Sequence, residues 1–406
     1  MPLGCVVPVW RVSLDWRNMS HHDRPAEDCG DHHFRRAQCA VIRLPLRLAL
    51  GAAVALTGLC FGCGGDSGSG KEQLEGPGFP VHVMTRNLYL GTDLIDLVGI
   101  TTPEGIPDAM ATLWDNVQAS DVPGRMKVVA DEIIHIGPDL VALQEVSIFQ
   151  RETTFGNQAG DSTPNATEVV YDFLSLLMAE LEAQGGGYRV AGDAPNGEAA
   201  LPVSGGAGAS FELRVTDRDV ILARDTVQTS NFVSVPYSTT LKFTVGGTGG
   251  IPVEFARSAS RLDAVVGDAQ FTFANTHLEI EMVPTIQLSQ AEQLLDVFAG
   301  VPGPVLLLGD FNSAPGTNSY QRIVSKFVDV YPAMAGGAPG STCCQTADLR
   351  NAESTAAERI DLVLTRGRFR ADNVSIVGTD PVTARTPKGL WPSDHFGVAA
   401  TVELVP

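Results

Sequence analysis

Residues 305–313 read Val-Leu-Leu-Leu-Gly-Asp-Phe-Asn-Ser, and this stretch says more about the fold than any other in the chain. Its four apolar residues have the length of a buried β-strand, and Gly309 leads directly into Asp310. Asp310 and Asn312 are two positions apart, so their side chains share one side if the strand continues. Because Asp, Asn, Ser and Gly also form turns, the stretch alone fits either a polar turn or a hydrolytic site.

Five other segments combine an apolar strand with a polar group at or near one end. They are residues 81–88 with Asn87, 138–146 with Glu145, 271–278 with His277, 358–364 with Asp361, and 392–402 with Asp394 and His395. Six such strands in one chain predict that their polar ends meet in a shared site.

The ordered set of motifs resembles the endonuclease/exonuclease/phosphatase superfamily, which includes DNase I, abasic-site exonucleases, neutral sphingomyelinases and inositol polyphosphate 5-phosphatases. The motifs are Asn87, Gln144-Glu145, Thr276-His277, Gly309-Asp310-Phe311-Asn312, Arg359-Ile360-Asp361 and Ser393-Asp394-His395. The short alternating strands between residues 188 and 266 predict antiparallel sheet. Interspersed helices then predict an α/β sandwich of two packed, mostly antiparallel sheets flanked by helices, and the resemblance implies the same four layers.

Phosphoester hydrolysis requires an activated water, neutralised charge on the phosphate oxygens and help for the leaving oxygen. Glu145 is the leading candidate ligand for Mg²⁺, because this ion prefers a few carboxylates together with water and phosphate. Mn²⁺ or Ca²⁺ is an alternative ion. The resemblance adds Asn87 and Asp394 as further ligands.

His395 and Asp361 form a candidate dyad, since a carboxylate beside an imidazole fixes its tautomer and orientation. The resemblance implies that His395 is the general base or a contact to the scissile phosphate. It also implies that Asp310 orients the attacking water. For His277 it implies stabilisation of the transition state or protonation of the leaving oxygen.

Two further residues are candidate contacts to the phosphate. Asn312 can bond a phosphoryl oxygen, and Arg218 can bind a phosphate or remain a solvated charge. Two departures from the family pattern count against a DNA-repair enzyme. Ser147 stands where many DNase-like members have arginine, and Tyr89 stands where the abasic-site enzymes have an acid.

The net charge of −19 belongs entirely to the chain after residue 79, because the first 79 residues carry eight basic and eight acidic side chains. Nucleic-acid affinity comes mainly from Lys and Arg that neutralise phosphates, so an acidic body disfavours an unassisted polynucleotide partner. Bound divalent cations can reverse the local field, so a nuclease is not excluded. The charge favours a small phosphoester or a lipid headgroup.

The N-terminal part resembles a bacterial lipoprotein signal. In residues 41–63, Arg43 and Arg47 precede an apolar run that ends in small residues and Cys63, the candidate lipidated residue. An ordinary cleaved secretory signal is the alternative. Residues 1–40 lack periodicity, and we expect them to be a non-native or disordered leader, with translation starting near Val41. We expect residues 64–79 to be a Gly-rich linker and residues 80–406 to be the catalytic domain.

The predicted catalytic domain, residues 80–406, has two cysteines, Cys343 and Cys344. They could form an oxidised pair, contact a metal or be two small buried residues, and a structural role is favoured.

The sequence therefore predicts an exported, lipid-anchored, monomeric and Mg²⁺-dependent phosphoesterase. Its substrate would be a nucleic acid, a phospholipid headgroup or a small phosphoester. The alternative is a catalytically inactive, surface-anchored binding protein on the same scaffold, and a third option is a scaffold that acts on a protein partner.

Overall fold

The structure, a computed structural model, describes residues 77–152, 165–204 and 210–406. The predicted leader, the signal segment with Cys63 and the linker up to residue 76 lie outside these residues. The described part belongs to the unit Gly70–Pro406.

Sixteen strands are present among the described residues. In chain order they are β1 (Phe79–Asn87), β2 (Leu140–Gln144), β3 (Ile148–Glu152), β4 (Glu168–Asp172), β5 (Tyr188–Ser204), β6 (Ser210–Arg224), β7 (Gln228–Pro236), β8 (Leu241–Val245), β9 (Ile251–Phe255), β10 (Ser258–Val266), β11 (Ala269–His277), β12 (Val305–Asp310), β13 (Val328–Asp329), β14 (Asp361–Arg366), β15 (Phe369–Val377) and β16 (Gly397–Leu404).

These strands form two large sheets and one hairpin. The first sheet has the order β15-β16-β1-β2-β6-β3-β4, with β5 paired to β6, and the second has the order β13-β14-β12-β11-β10-β7. Strands β8 and β9 pair only with each other among the described residues. Each large sheet contains one parallel pair, β1 with β2 and β11 with β12, while the other pairings are antiparallel.

The strand register brings polar residues to one end of the second sheet. His277 at the end of β11 is opposite Asp310 at the end of β12, and Asp310 is opposite Asp361 at the start of β14. In the first sheet, Asn87 at the end of β1 is opposite Gln144 at the end of β2, and Glu145 follows. Neighbouring strands lie about 4.8 Å apart, so this register alone brings the groups of each sheet close together.

Helices cover the outer faces of both sheets. They are α1 (Ile106–Ala119), α2 (Val122–Ile136), α3 (Phe173–Ala183), α4 (Pro284–Ala299) and α5 (Asn318–Val324). Helix α6 (Val330–Met334) contacts β14 and β15 instead, and short 3₁₀ helices lie at Leu94–Gly99 and Pro103–Gly105. Among the described residues, no helix combines the length and the apolar character needed to cross a membrane.

Three apolar clusters fill the spaces between the layers. Val83, Ile221 and Leu308 belong to the cluster between the two sheets, which takes side chains from both. A second cluster joins α1, α2 and α3 to the first sheet, and a third joins α4 and α5 to the second sheet. The predicted sandwich of two mostly antiparallel sheets with outer helices is confirmed.

The spacing of apolar residues between positions 167 and 182 predicts one continuous helix, but this prediction is wrong for its first part. Residues Glu168–Asp172 form strand β4, and the helix begins only at Phe173. Asp172 explains the boundary, because its side chain accepts a hydrogen bond from the Leu174 backbone N–H at 3.1 Å and so caps the helix. The β-branched residues before it pair with β3 instead.

Candidate active site

The ends of the central strands surround a cavity of about 460 Å³. Six predicted site residues line it: Glu145, His277, Asp310, Asn312, Asp394 and His395. Asn87 and Asp361 are buried and reach these residues by hydrogen bonds. The structure therefore brings together eight predicted residues that are distributed over more than 300 positions of the chain.

Asn87 links two carboxylates across the two sheets. Its Nδ2 donates to Glu145 Oε1 and to Asp310 Oδ2, each at 3.0 Å. Its Oδ1 accepts from the Tyr89 backbone N–H at 2.8 Å, which fixes the orientation of the amide. Asn87 therefore presents its nitrogen to the carboxylates, while its oxygen, the atom that could ligate a metal, keeps one lone pair beyond the bond from Tyr89.

Glu145 is held at the cavity wall by its own backbone conformation and by its neighbours. Its φ of 55° lies in the left-handed region, where a residue with a β-carbon is uncommon. Its Oε2 accepts from the Leu90 backbone N–H at 2.7 Å. Such local strain is typical of residues that the surrounding structure holds in place for function.

His395 is oriented by Asp361, as predicted. Its Nδ1 lies 2.9 Å from Asp361 Oδ2, and its Nε2 lies 3.8 Å from Asp310 Oδ2. Burial opposes the charged ring, but the charges of Asp361, Asp394 and Asp310 outweigh it and raise the pKa of His395 well above its usual value. With Nδ1 bonded to Asp361, Nε2 is the atom that is free to meet a substrate.

Buried polar groups hold the backbone around this dyad. Arg86 donates from Nη1 to the His395 carbonyl and from Nε to Glu132 at 3.0 Å. Ser393 Oγ donates to the Asn87 carbonyl at 2.8 Å and accepts from the His395 N–H at 3.1 Å. These bonds attach the segment before β16 to the end of β1, so the His395 position depends on both strands.

His277 has different surroundings. Arg257 Nη1 lies 2.9 Å from His277 Nδ1, and Asp310 Oδ2 lies 3.5 Å from His277 Nε2. Because a guanidinium can only donate, Nδ1 is the acceptor, and the neutral ring then carries its proton on Nε2. Asn312 Nδ2 lies 3.1 Å from this Nε2, closer than Asp310 Oδ2. Burial, Arg257 and His395 all lower the pKa of His277 well below its usual value.

A tight turn after β12 positions Asp310 and Asn312. A β-carbon on Gly309, whose φ is 149°, would lie 2.0 Å from the Thr276 carbonyl oxygen, so glycine allows the close approach of β11 and β12. Asp310 Oδ1 accepts from the Asn312 N–H at 2.8 Å, and Asn312 has a φ of 47°. The strand ends at Asp310, so the turn rather than strand alternation brings Asn312 into the cavity.

The carboxylates of the site are crowded and buried. Burial raises the pKa of Asp310 to about 7 and that of Asp394 to about 6, and the Glu145 charge adds to the second shift. Asp361 Oδ1 is buried and accepts no hydrogen bond from any described residue. Ligand atoms of Asp310, Asp361 and His395 lie within 4.8 Å of one another. Excess buried negative charge and an unused oxygen are what a hard divalent cation would match.

A family model described as the endonuclease/exonuclease/phosphatase family matches residues 109–395 of this sequence. The chain belongs to that family. The predicted resemblance is thus confirmed, and members of the family hydrolyse phosphate esters. None of the curated proteins matches the sequence.

Solved structures of family members are also similar to this chain. One is an endonuclease/exonuclease/phosphatase from Beutenbergia cavernae, with 20% identity, a TM-score of 0.47 and coverage of 80% of this chain and 72% of that chain. A mannosyl-6-phosphatase from Bacteroides thetaiotaomicron has 18% identity, a TM-score of 0.45 and coverage of 79% and 99%. TDP2 from C. elegans has 17% identity, a TM-score of 0.44 and coverage of 80% and 75%.

Arg218, a candidate contact to the phosphate in the sequence, lies away from the cavity of this protein. Its Nε donates to the Val146 carbonyl at 3.0 Å, and its two terminal nitrogens bond Asp172 at 2.5 Å and Asp193 at 3.4 Å. All three nitrogens are used and the residue does not line the cavity. The guanidinium therefore joins loops and strands of the first sheet instead of facing a phosphate.

Sequence reasoning missed Arg257, the one Arg or Lys among the residues that line the cavity. Arg257 Nη1 also lies 3.3 Å from Asp217 Oδ2, and Nη2 lies 3.8 Å from Glu279 Oε1. In the sequence, Arg257 is marked only as a basic residue directly before a strand. The antiparallel register of β10 with β11 is needed to show that this position lies beside His277.

Cys343 and Cys344 line the cavity, and their sulfur atoms lie next to each other. The backbone of Cys343 forms bridges with Glu358 and with His395. The structure therefore places both cysteines beside the dyad, and their sulfur atoms together with His395 form a group that could hold a metal ion.

Proposed function

We propose that this chain is a Mg²⁺-dependent hydrolase that cleaves a phosphate ester by in-line attack of water. One observation carries the proposal: Glu145, His277, Asp310, Asp361 and His395 come from five separate segments and converge on a single cavity. A structural role would require none of these groups to share a cavity, whereas hydrolysis of a phosphate ester requires acid–base groups and anionic ligands at one point.

The donor set fits a divalent cation. Glu145, Asp310, Asp361 and Asp394 supply oxygen ligands of the kind that Mg²⁺ prefers, and Asp361 has an oxygen without a hydrogen bond among the described residues. A bound ion would offset the negative charge that develops on the phosphate in the transition state. Mn²⁺ and Ca²⁺ also accept such ligands and are the ions to compare.

The protein groups have separable tasks in this proposal. Asp310 faces both histidines and orients the attacking water. Asp361 holds His395 so that Nε2 exchanges a proton or a hydrogen bond with the substrate, and Asn312 contacts a phosphoryl oxygen. His277 presents its Nε2 proton to the developing charge on an oxygen of the ester.

The test is hydrolysis by the purified protein with Mg²⁺, Mn²⁺ or Ca²⁺ and with EDTA. The substrates are bis-4-nitrophenyl phosphate, 4-nitrophenyl phosphate, plasmid DNA, RNA and phospholipid vesicles. We expect cation-dependent cleavage of at least one, lost in Asp310→Ala. Binding without turnover under every condition would favour the alternative, an inactive binding protein on this scaffold.

We also propose that the protein is exported and anchored to a bacterial membrane through a lipid on Cys63, which lies outside the described residues. The support is the signal-like segment at residues 41–63. Incorporation of labelled palmitate in the wild type and its loss in Cys63→Ala would agree with this. Equal labelling of the two proteins would contradict it.

A further inference from the structure

Part of the cavity wall is apolar and has no task in the proposed chemistry. Its side chains are Leu90, Leu94, Ile95, Val215, Leu241 and Phe255. This wall begins next to the catalytic groups, because the Leu90 backbone N–H bonds Glu145 Oε2. Any substrate with its phosphate near Glu145 would therefore have an apolar surface beside it.

The apolar wall is built from packed elements. Leu94 and Ile95 begin the 3₁₀ helix, Leu241 begins β8, and Phe255 ends β9, while β8 packs against the 3₁₀ helix. The Phe255 ring is supported by Phe243, with ring centroids 5.4 Å apart. These four wall residues are partly exposed, so they offer apolar surface that a ligand can cover.

The charges around the cavity limit how many phosphates a ligand can bring. Arg257 is the one basic side chain among the lining residues, and it is already surrounded by Asp217 and Glu279. Three more carboxylates line the cavity near the apolar wall: Asp93, Glu198, which pairs with Arg214, and Glu254, which pairs with Lys242. A polynucleotide would therefore find no unpaired basic side chain among the lining residues for its flanking phosphates. A ligand with one phosphate does not need such a partner.

We propose that the cavity contains an apolar subsite, formed by these six side chains, that binds the hydrocarbon part of an ester with a single phosphate. The inference rests on the proposed function and names its substrate class. A cavity of about 460 Å³ has room for a phosphate and a medium-length alkyl or aryl group. The phosphate lies at Glu145, Asp310 and His395, and the hydrocarbon covers Leu94, Leu241 and Phe255.

The first test is a series of alkyl 4-nitrophenyl phosphates, from methyl to octyl, below their micelle concentrations. Each carries one phosphate and the same leaving group, so the series varies only the hydrocarbon. We expect kcat/KM to rise about threefold for each added methylene until the subsite is full. A flat series with measurable turnover would overturn the subsite and leave the phosphoesterase proposal intact.

A matched pair of variants locates the effect. Leu241→Gln replaces an apolar wall residue at a partly exposed position, and it should flatten the dependence of kcat/KM on chain length. Val98→Gln is the control, because Val98 is 50% exposed in the same 3₁₀ helix as Ile95 and does not line the cavity. It should leave the slope unchanged, and a Leu241→Gln slope equal to the wild-type slope would overturn the inference.

Binding separates failure of the subsite from failure of the proposed function. Calorimetric titration with octyl phosphate and with methyl phosphate needs no turnover, and we expect octyl phosphate to bind at least about tenfold more tightly. This preference in a protein that hydrolyses no ester would support the subsite and reject the enzyme. Equal affinities, or an oligonucleotide cleaved with a higher kcat/KM than the octyl ester, would overturn the subsite.

Discussion

Two histidines of this cavity have opposite electrostatic surroundings. His395 has Asp361 at Nδ1 and further carboxylates nearby, which raise its pKa, whereas His277 has Arg257 at Nδ1 and a lowered pKa. Both are buried and both turn Nε2 toward Asp310. Burial disfavours the charged form of both rings, and their charged neighbours then move the two pKa values in opposite directions.

This difference explains how one buried carboxylate can serve two rings. Asp310 Oδ2 lies 3.5 Å from one Nε2 and 3.8 Å from the other. Two charged rings would repel each other, and two neutral rings would remove the His395 charge that favours the ionised forms of Asp310 and Asp394. One charged ring and one neutral ring reduce both costs.

Removal of the charged ring should have the largest effect. We expect His395→Ala to lower kcat/KM by at least about a hundredfold, the usual scale for a lost acid–base group. The control is His82→Ala, since His82 is an exposed histidine of β1 that does not line the cavity. Steady-state kinetics on the best substrate measure both, and near-wild-type turnover of His395→Ala would remove His395 from the mechanism.

Loss of the Glu145 carboxylate should weaken binding of the metal ion more than it changes the two histidines. Glu145→Gln keeps the shape of the side chain but removes its charge, so we expect the Mg²⁺ concentration for half-maximal activity to rise by about tenfold or more. A magnesium titration of turnover measures this change. Glu182→Gln, at an exposed position of α3, should leave the titration unchanged. An unshifted titration for Glu145→Gln would exclude it as a ligand.

Arg257→Met tests whether the neutral ring needs its cationic neighbour. Without Arg257 the pKa of His277 should rise, so the acidic limb of the pH profile should move to higher pH and kcat/KM should fall roughly tenfold near neutrality. Arg218→Met is the comparison, because Arg218 is buried but bonds Asp172 and Asp193 away from the cavity. It should cost roughly 1–3 kcal/mol of stability and leave the profile unchanged. An unmoved limb in Arg257→Met would show that Arg257 does not set the state of His277.

The smallest effect concerns stability in EDTA. A carboxyl whose pKa is raised by burial binds more protons in the folded than in the unfolded chain. Its contribution to the free energy of unfolding is therefore complete at pH values below the usual pKa of 3.8, and it is lost as pH rises toward the folded-state pKa. Because the pKa of Asp394 is about 6, the melting temperature should fall as pH rises from 4 to 6. Asp394→Asn should reduce this fall, whereas Asp296→Asn, at an exposed position, should not. Identical pH dependence of both variants would contradict the shift.

The short motifs allowed the sandwich and most of the site to be predicted. Each polar residue directly follows or precedes an apolar strand, and strand ends meet at an edge of a sheet, so Asp310, His277 and Asp361 could be grouped before the register was known. Arg218 showed the limit of this reasoning. Arg218 lies within β6, and its partners are Val146, Asp172 and Asp193 rather than groups of the cavity.

The sequence alone determined which polar residues stand at the ends of apolar strands and in which order, because these are local properties of the chain. Only the tertiary structure decided that Arg257 is beside His277, that Asn87 joins Glu145 to Asp310, and that an apolar wall adjoins the site. Asn87 and Asp310 are 223 positions apart, and such pairings depend on the register of packed sheets. The charge of each histidine follows from those neighbours, so it could not be derived from any single segment.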